Sequence, residues 1–360
     1  MAICIDNIYV LNKSFQTVGV IDFAKSIIWT TRYYEAGDFE IYTRMSDKAI
    51  NLLQEGFYLI RNDCDMVGII ENIKITTDAE NGNWMIVTGR DAKSILARRI
   101  IWNQTNLTGT AANGIIKLLN NNIISASSSR KISNFIATTP SSSVFTDTID
   151  KQYTGDNLYD TILAICQEFY YGFKVTLNNG IFNFSLYKGT DRSVNQTINP
   201  HVVFSPMYDN FLSSEYELIN STYKNVALIA GEGEGTARKT QSIGTATGLN
   251  RFELFVDAKD ISSNEGTEEE ITLAEYNALL VSRGNEKLAE NIRTETYVGS
   301  IDNDRTYIYK TDYFLGDIVT VQNEYGMQKD VRIIEVIESL DENGYIITPS
   351  FEDRMWFFWL

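Results

Sequence analysis

The stretch that decides the fold reads Tyr313-Phe314-Leu315-Gly316-Asp317-Ile318-Val319-Thr320-Val321. A polar turn at Asn323-Glu324-Tyr325-Gly326 follows, then the β-branched run 331–337, a second turn at Asp341-Glu342-Asn343-Gly344, and Tyr345-Ile346-Ile347-Thr348. Val, Ile and Thr are stiff at χ1 and pack well on a pleated surface, so three strands joined by tight turns are expected. Asn343-Gly344 suits the central pair of a type I′ hairpin, where both residues need positive φ.

Working outward, residues 38–44 alternate, with Phe39, Ile41 and Thr43 on one face and Glu40, Tyr42 and Arg44 on the other, as in a half-buried strand. Residues 57–61, 66–77 and 84–88 continue that pattern, the last two joined at the turn Glu80-Asn81-Gly82-Asn83. Gly89-Arg90-Asp91 then opens a short helix over 92–99, whose Ile95 and Leu96 are placed to cover an open barrel end. Residues 1–105 therefore read as a small antiparallel sheet or barrel with a capping helix.

The period then changes. Ala112, Ile115, Ile116 and Leu119 form a helical stripe stopped by Asn120-Asn121-Asn122, and Leu158, Ile162, Ile165, Cys166 and Phe169 form a second, with Asp156 placed to cap it. A hairpin over 173–187 turns at Asn178-Asn179-Gly180. The Ser-rich segment 125–148 reads as an exposed loop with one or two edge strands. Residues 106–199 thus form an α+β insertion.

Strand patterns return at 202–204, 225–230 and 251–256. Residues 265–270 read as an acidic linker. Thr272-Leu273-Ala274-Glu275 is a capping box opening a helix toward Arg293, weakened at Gly284. The fold class expected is β-rich α+β: a first barrel over 1–105, a second built from 200–257 and 296–351, a helical insertion over 258–295 and an aromatic tail over 352–360. No tandem repeat is present.

Composition narrows function. With 360 residues, 44% hydrophobic and 22% charged, the chain is long enough for two or three folded domains. A net charge of −16 repels phosphate backbones and anionic lipid, so specific nucleic-acid binding is disfavoured, although DNA can pass through an acidic channel without sticking. Cys4, Cys64 and Cys166 fit no metal or disulfide pattern and read as reduced thiols. The N-terminus lacks the basic start of a signal peptide, and no apolar run reaches the length of a membrane helix.

Catalytic signals are sparse. His201 is the only histidine and has no nucleophile motif around it, so it reads as a surface or junction residue. One His and three scattered Cys make no zinc set, and Asp302-Asn303-Asp304 lacks the Gly and distant Glu of a calcium loop. Gly231-Glu232-Gly233-Glu234-Gly235 lacks the Lys of a phosphate cradle and reads as a hairpin tip. No catalytic, cofactor or metal residue is assigned. A paired-carboxylate glycan hydrolase and an aromatic-rich carbohydrate-binding module stay open as alternatives.

Two features point to contact surfaces. Arg90, Arg98, Arg99 and Trp102 form a basic cluster beside apolar residues; Arg and Trp are frequent in interfaces, but a helix end that offsets its own dipole is the competing reading. Trp356, Phe357, Phe358 and Trp359 would be costly to leave wet, so they pack on their own core or dock on a neighbour.

The Leu315-Gly316-Asp317-Ile318-Val319 phrase, Gly37-Asp38-Phe39-Glu40-Ile41-Tyr42, and the segment from Val87 through Gly89-Arg90-Asp91 to Arg98-Arg99 together resemble the siphovirus-type tail-hub family. That family is related to the baseplate hubs of contractile tails and of phage-tail-like bacteriocins. The resemblance implies a structural, non-enzymatic homotrimer with two barrel domains per subunit. Such a ring at the virion tail tip, assembled in the bacterial cytoplasm, adapts a six-fold tail tube or distal tail protein to a three-fold spike or tip fibre. No cofactor and no stable membrane insertion are expected from the sequence.

Overall fold

In the computed structural model, which describes residues 5, 7–78, 80, 82–263, 271–301, 306–325 and 328–353, the C-terminal strands form where the β-branched runs place them. Ile318–Gln322, Gln328–Asp341 and Gly344–Asp353 pair antiparallel. Val331 and Ile333 face inward, a bulge between Ile333 and Glu335 shifts the phase, and Val336 and Glu338 face inward beyond it. One extra residue in a strand exchanges its two faces, so this bulge aims a carboxylate into the core.

The last turn differs from the expected type I′ pair. Asp341 opposes Gly344, leaving Glu342 and Asn343 in the loop, and only Gly344 has positive φ. Asp341 Oδ1 accepts a 2.7 Å hydrogen bond from Asn343 N and so fixes the turn with a side chain. The rule holds instead at Asn179-Gly180, where both φ values are positive (50° and 77°) between the paired strands Gly172–Asn178 and Ile181–Tyr187.

Strands of the two chain ends share one sheet. Gln328–Asp341 pairs with Ala24–Arg32. From there the sheet runs through Asp38–Arg44, Gly82–Asp91, Cys64–Asp78, Tyr58–Arg61 and Ile8–Leu11 to Thr17–Ile21, and in the other direction through Gly344–Asp353 and Thr294–Ile301 to Phe211–Ile219. Among the described residues the pairing is an open path, and it carries two cores: one around Trp29, Phe39, Ile41 and Val87, the other around Phe204, Tyr313, Val319 and Phe351. Where two separate barrels were expected, the described strands form one large sheet that carries both cores. Gly89 sits where Cys64–Asp78 bulges; a Cβ there would lie 1.8 Å from Ile69 O, so only glycine fits.

Two compact units result. The first comprises residues up to Ser94, Gly172–Glu217 and Thr296–Asp353; the second contains Ile95–Tyr171 and Leu218–Glu295. Val226–Ala230 and Glu253–Asp257, expected in the second barrel, instead form a separate sheet with Thr240–Ile243. Their inward residues Ala227, Ile229 and Val256 pack against Tyr276, Leu279 and Leu280 of helix Leu273–Ala289, and that burial holds them in the second unit. The 173–187 hairpin, expected in the insertion, belongs to the first unit.

Local signals in the second unit hold with small corrections. Thr272 and Glu275 form the capping box, and Gly284 is a packing position whose added Cβ would lie 2.6 Å from Ile229 Cδ1. Helix Leu158–Glu168 is capped by Asn157, one residue after the expected Asp156, because Asn157 Oδ1 accepts from the backbone N–H of Tyr159 and Asp160. Helix Ala111–Leu119 does not stop at the asparagines but widens into a π-type turn over Asn120–Ile124. The Gly231 to Gly235 segment is the expected hairpin tip, yet it is pinned: Glu232 N donates to Tyr276 Oη, and its carboxylate accepts from Ser263 N and Oγ.

Among the described residues, no helix is long and apolar enough to cross a membrane. Cys64 and Cys166 are free thiols. Cys4, the acidic run 265–270, Asp302-Asn303-Asp304 and the tail residues Trp356, Phe357, Phe358 and Trp359 lie outside the described residues.

Candidate functional site

Two buried ionic clusters weigh first as chemistry. In the first unit, Arg61 NH2 donates to Glu338 Oε1 at 2.9 Å, Tyr345 Oη donates to the same oxygen at 2.7 Å, and Lys310 Nζ bridges Glu338 and Asp63 at 3.2 and 2.8 Å. Burial works to raise the Glu338 carboxyl, but the charges of Arg61 and Lys310 outweigh it and hold the group below its ordinary value. Glu338 is an ionised structural partner with no proton to give.

In the second unit, Lys151 lies between Glu168 and Glu286, Tyr153 Oη donates to Glu286 at 2.7 Å, and Arg283 donates to Asp260 at 2.9 Å and Gln152 O at 3.0 Å. Burial works to raise both carboxyls; it prevails at Glu168, whereas at Glu286 the charges of Lys151 and Arg283 outweigh it and hold the group down. Carboxylates driven apart in this way are a pattern of acid–base sites. Here Lys151 and Glu286 are 4% and 6% exposed and the lysine fills the space between the acids, so the arrangement fastens helix Leu273–Ala289 to strand Thr148–Tyr153. His201, the one histidine, is exposed, with Nε2 2.8 Å from Gln196 O.

The surface concavities are decided by charge. A cavity of about 560 Å³ in the first unit mixes acids with bases, and its Lys174 and Lys310 hold Asp65 and Asp63. Cys64 lines it, but burial pushes that thiol up, away from the reactive thiolate. An open groove of about 1050 Å³ in the second unit is different: Arg98, Arg99, Arg130 and Trp102 line it, and among the described residues no carboxylate does.

The local sequence builds this groove in steps. In the short helix Ala92–Arg98, Ile95 and Leu96 are buried, so Arg98 is left outward. Arg99 turns back and donates to Arg98 O and Arg130 O, both at 2.9 Å, which satisfies the helix end. The π-type turn buries Asn122, whose Nδ2 donates to Leu118 O and whose Oδ1 accepts from Trp102 N at 3.2 Å. Arg130 donates to Ile100 O at 2.7 Å and to the same Asn122 oxygen, and its guanidinium stacks 5.0 Å from the centre of the Trp102 ring. Trp102 is 63% exposed.

Of the residues expected to make contacts, the fold therefore brings together Arg98, Arg99 and Trp102. Arg90 is not among the groove's lining residues: it lies on strand Gly82–Asp91 of the first unit, where its guanidinium makes a two-pronged ion pair with Glu71 at 2.8 Å. Sequence reasoning missed Arg130 and Asn122. Arg130 sits in the Ser-rich segment, where Lys131 beside it and the turn-forming Ser127 were the available signal; Asn122 was read as a helix stop.

A family model described as Siphovirus ReqiPepy6 Gp37-like protein matches residues 7–351. No curated protein matches the chain. Among solved structures, the fold is similar to a 43 kDa tail protein of prophage MuSo2 from Shewanella oneidensis (TM-score 0.57, 14% identity, 96% of this chain and 98% of that one). It is also similar to a tail protein from Neisseria meningitidis MC58 (TM-score 0.56, 13% identity, 96% of each chain) and to prophage tail protein gp18 from Listeria monocytogenes EGD-e (TM-score 0.53, 11% identity, 96% and 94%). At these identities the likeness speaks to the fold, and the family match speaks to descent. Matched across nearly its whole length, the chain belongs to the Siphovirus ReqiPepy6 Gp37-like family of siphovirus tail proteins.

Proposed function

We propose that this tail protein is a structural hub: three copies close into a ring at the tail tip, with the tail tube or distal tail protein on one side and a spike or tip fibre on the other. The observation that carries this reading is the family match over residues 7–351. The two cores on one sheet add to it, because two similar positions per chain in a trimer meet a six-fold tube without an unmatched interface. In this reading each core marks one barrel-like position. The acidic chain lines a pore that DNA crosses without sticking.

The ring needs no catalytic group. Arg98, Arg99, Trp102 and Arg130 serve as contact residues, as do Trp356, Phe357, Phe358 and Trp359. Sedimentation at micromolar concentration, alone and with the tube and spike neighbours, tests the reading. A trimer is expected, and a chain that stays monomeric with both neighbours overturns it.

A further inference from the structure

The groove of the second unit is built around positive charge that no described residue neutralises. Arg32, Arg61, Arg192, Arg238 and Arg283 each hold a carboxylate. Arg98, Arg99 and Arg130 hold none among the described residues: Arg99 and Arg130 donate to carbonyl oxygens and to Asn122, and the exposed Arg98 side chain makes no hydrogen bond. In a chain of net charge −16, three arginines surround one open concavity with no acid among the described residues of its walls. Their planar guanidinium forks match carboxylates, and the Trp102 ring beside Arg130 adds an apolar surface for the stem of an acidic side chain.

Charge complementarity names the occupant. Residues 265–270 read Glu265-Gly266-Thr267-Glu268-Glu269-Glu270, the one place in the sequence with three consecutive acids, and no Lys or Arg occurs from Asp260 through Ser282. Copies of this protein approaching one another set −16 against −16, so their association needs concentrated positive charge at the contact to offset the repulsion. A closed ring is made by a head-to-tail contact in which each copy offers one surface and receives another. We infer that the Arg98, Arg99, Arg130 and Trp102 groove receives the acidic run 265–270 of a second copy. This rests on the ring reading above and assigns its contact.

The test is charge reversal in the full chain, read as oligomer mass against concentration. Arg98→Glu is a clean variant because the side chain it replaces is exposed and makes no hydrogen bond among the described residues, and circular dichroism checks that the fold is kept. Arg98→Glu alone and Glu268→Arg/Glu269→Arg alone should each weaken self-association roughly tenfold. Combining them should restore most of the loss, and added salt should shrink every difference. If the unaltered chain is trimeric and both variants assemble as it does, the ring stands and the assigned contact falls. If the unaltered chain is monomeric even with its neighbours, ring and contact fall together. As a second reading, a synthetic peptide of residues 263–272 should change Trp102 fluorescence of the full chain, with Trp102→Phe as control. A single-stranded DNA oligonucleotide or inorganic phosphate that binds where this peptide does not overturns the inference in favour of a phosphate site.

Discussion

Glu338 is the residue on which the first unit turns. It is completely buried and meets Arg61, Lys310 and Tyr345, which come from separate parts of the chain. A buried ion pair contributes little net stability over an apolar one, but removing one partner strands the other in a dry interior. Glu338→Gln should therefore lower unfolding stability by about 3–5 kcal/mol, read from denaturant midpoints. A loss below about 1 kcal/mol would mean that water reaches Arg61. The same group sets an acid limit. Glu338 and Glu286 are held below their ordinary carboxylate value of 4.5, so their contribution is complete above that pH and is lost as pH falls through the folded-state value. Glu168 is shifted upward and acts with the opposite sign. Thermal midpoints should then hold or rise slightly from neutral pH down to 4.5 and drop steeply below it. A steep loss already between neutral pH and 4.5 contradicts the assignment.

At the scale of elements, packing overrides intrinsic preference in helix Leu273–Ala289. Glycine in a helix interior costs about 1 kcal/mol relative to alanine, so Gly284→Ala should stabilise an isolated helix by that amount. In the folded unit the new methyl would meet Ile229 and Ile243 at 2.6 to 3.0 Å. Overpacking of this kind costs about 1–3 kcal/mol, which outweighs the gain in helix propensity, so the substitution should be destabilising in the folded chain. The checks are helicity of a peptide spanning 272–290, which should rise, and the unfolding midpoint of the full chain, which should fall. The bulge between Ile333 and Glu335 acts on the same scale: it lets one strand present Val331 and Ile333, then Val336 and Glu338, to the interior.

For the whole molecule, the proposed ring places weight on surfaces that do not stabilise the single chain. Deleting residues 355–360 removes Trp356, Phe357, Phe358 and Trp359, each able to bury on the order of 150–250 Å². If they dock on a neighbour, thermal unfolding of the isolated chain should be unchanged while particle yield falls. If the deletion instead unfolds the isolated chain and the remaining folded fraction assembles normally, the tail belongs to its own core. Together with charge reversal at Arg98, this separates two contacts of different chemistry, one apolar and one ionic, because only the ionic one weakens with salt.

What the sequence determined by itself is local. The alternation at 38–44, the β-branched run 331–337, the Asn179-Gly180 turn and the Thr272/Glu275 box each encode their structure in neighbouring residues, because strand faces, turn angles and caps are set within a few positions. The Gly-Asp-Ile-Val phrase and its companions carried the tail-family resemblance for the same reason. Tertiary structure decided the rest. It joined Ala24–Arg32 to Gln328–Asp341 in one sheet and moved Val226–Ala230 under a helix. It also tied Arg90 to Glu71 within the first unit and brought Arg130 to Trp102 within the second. Such pairings depend on which apolar faces find each other across long loops, and a side chain's neighbours in space leave no mark on its neighbours in sequence.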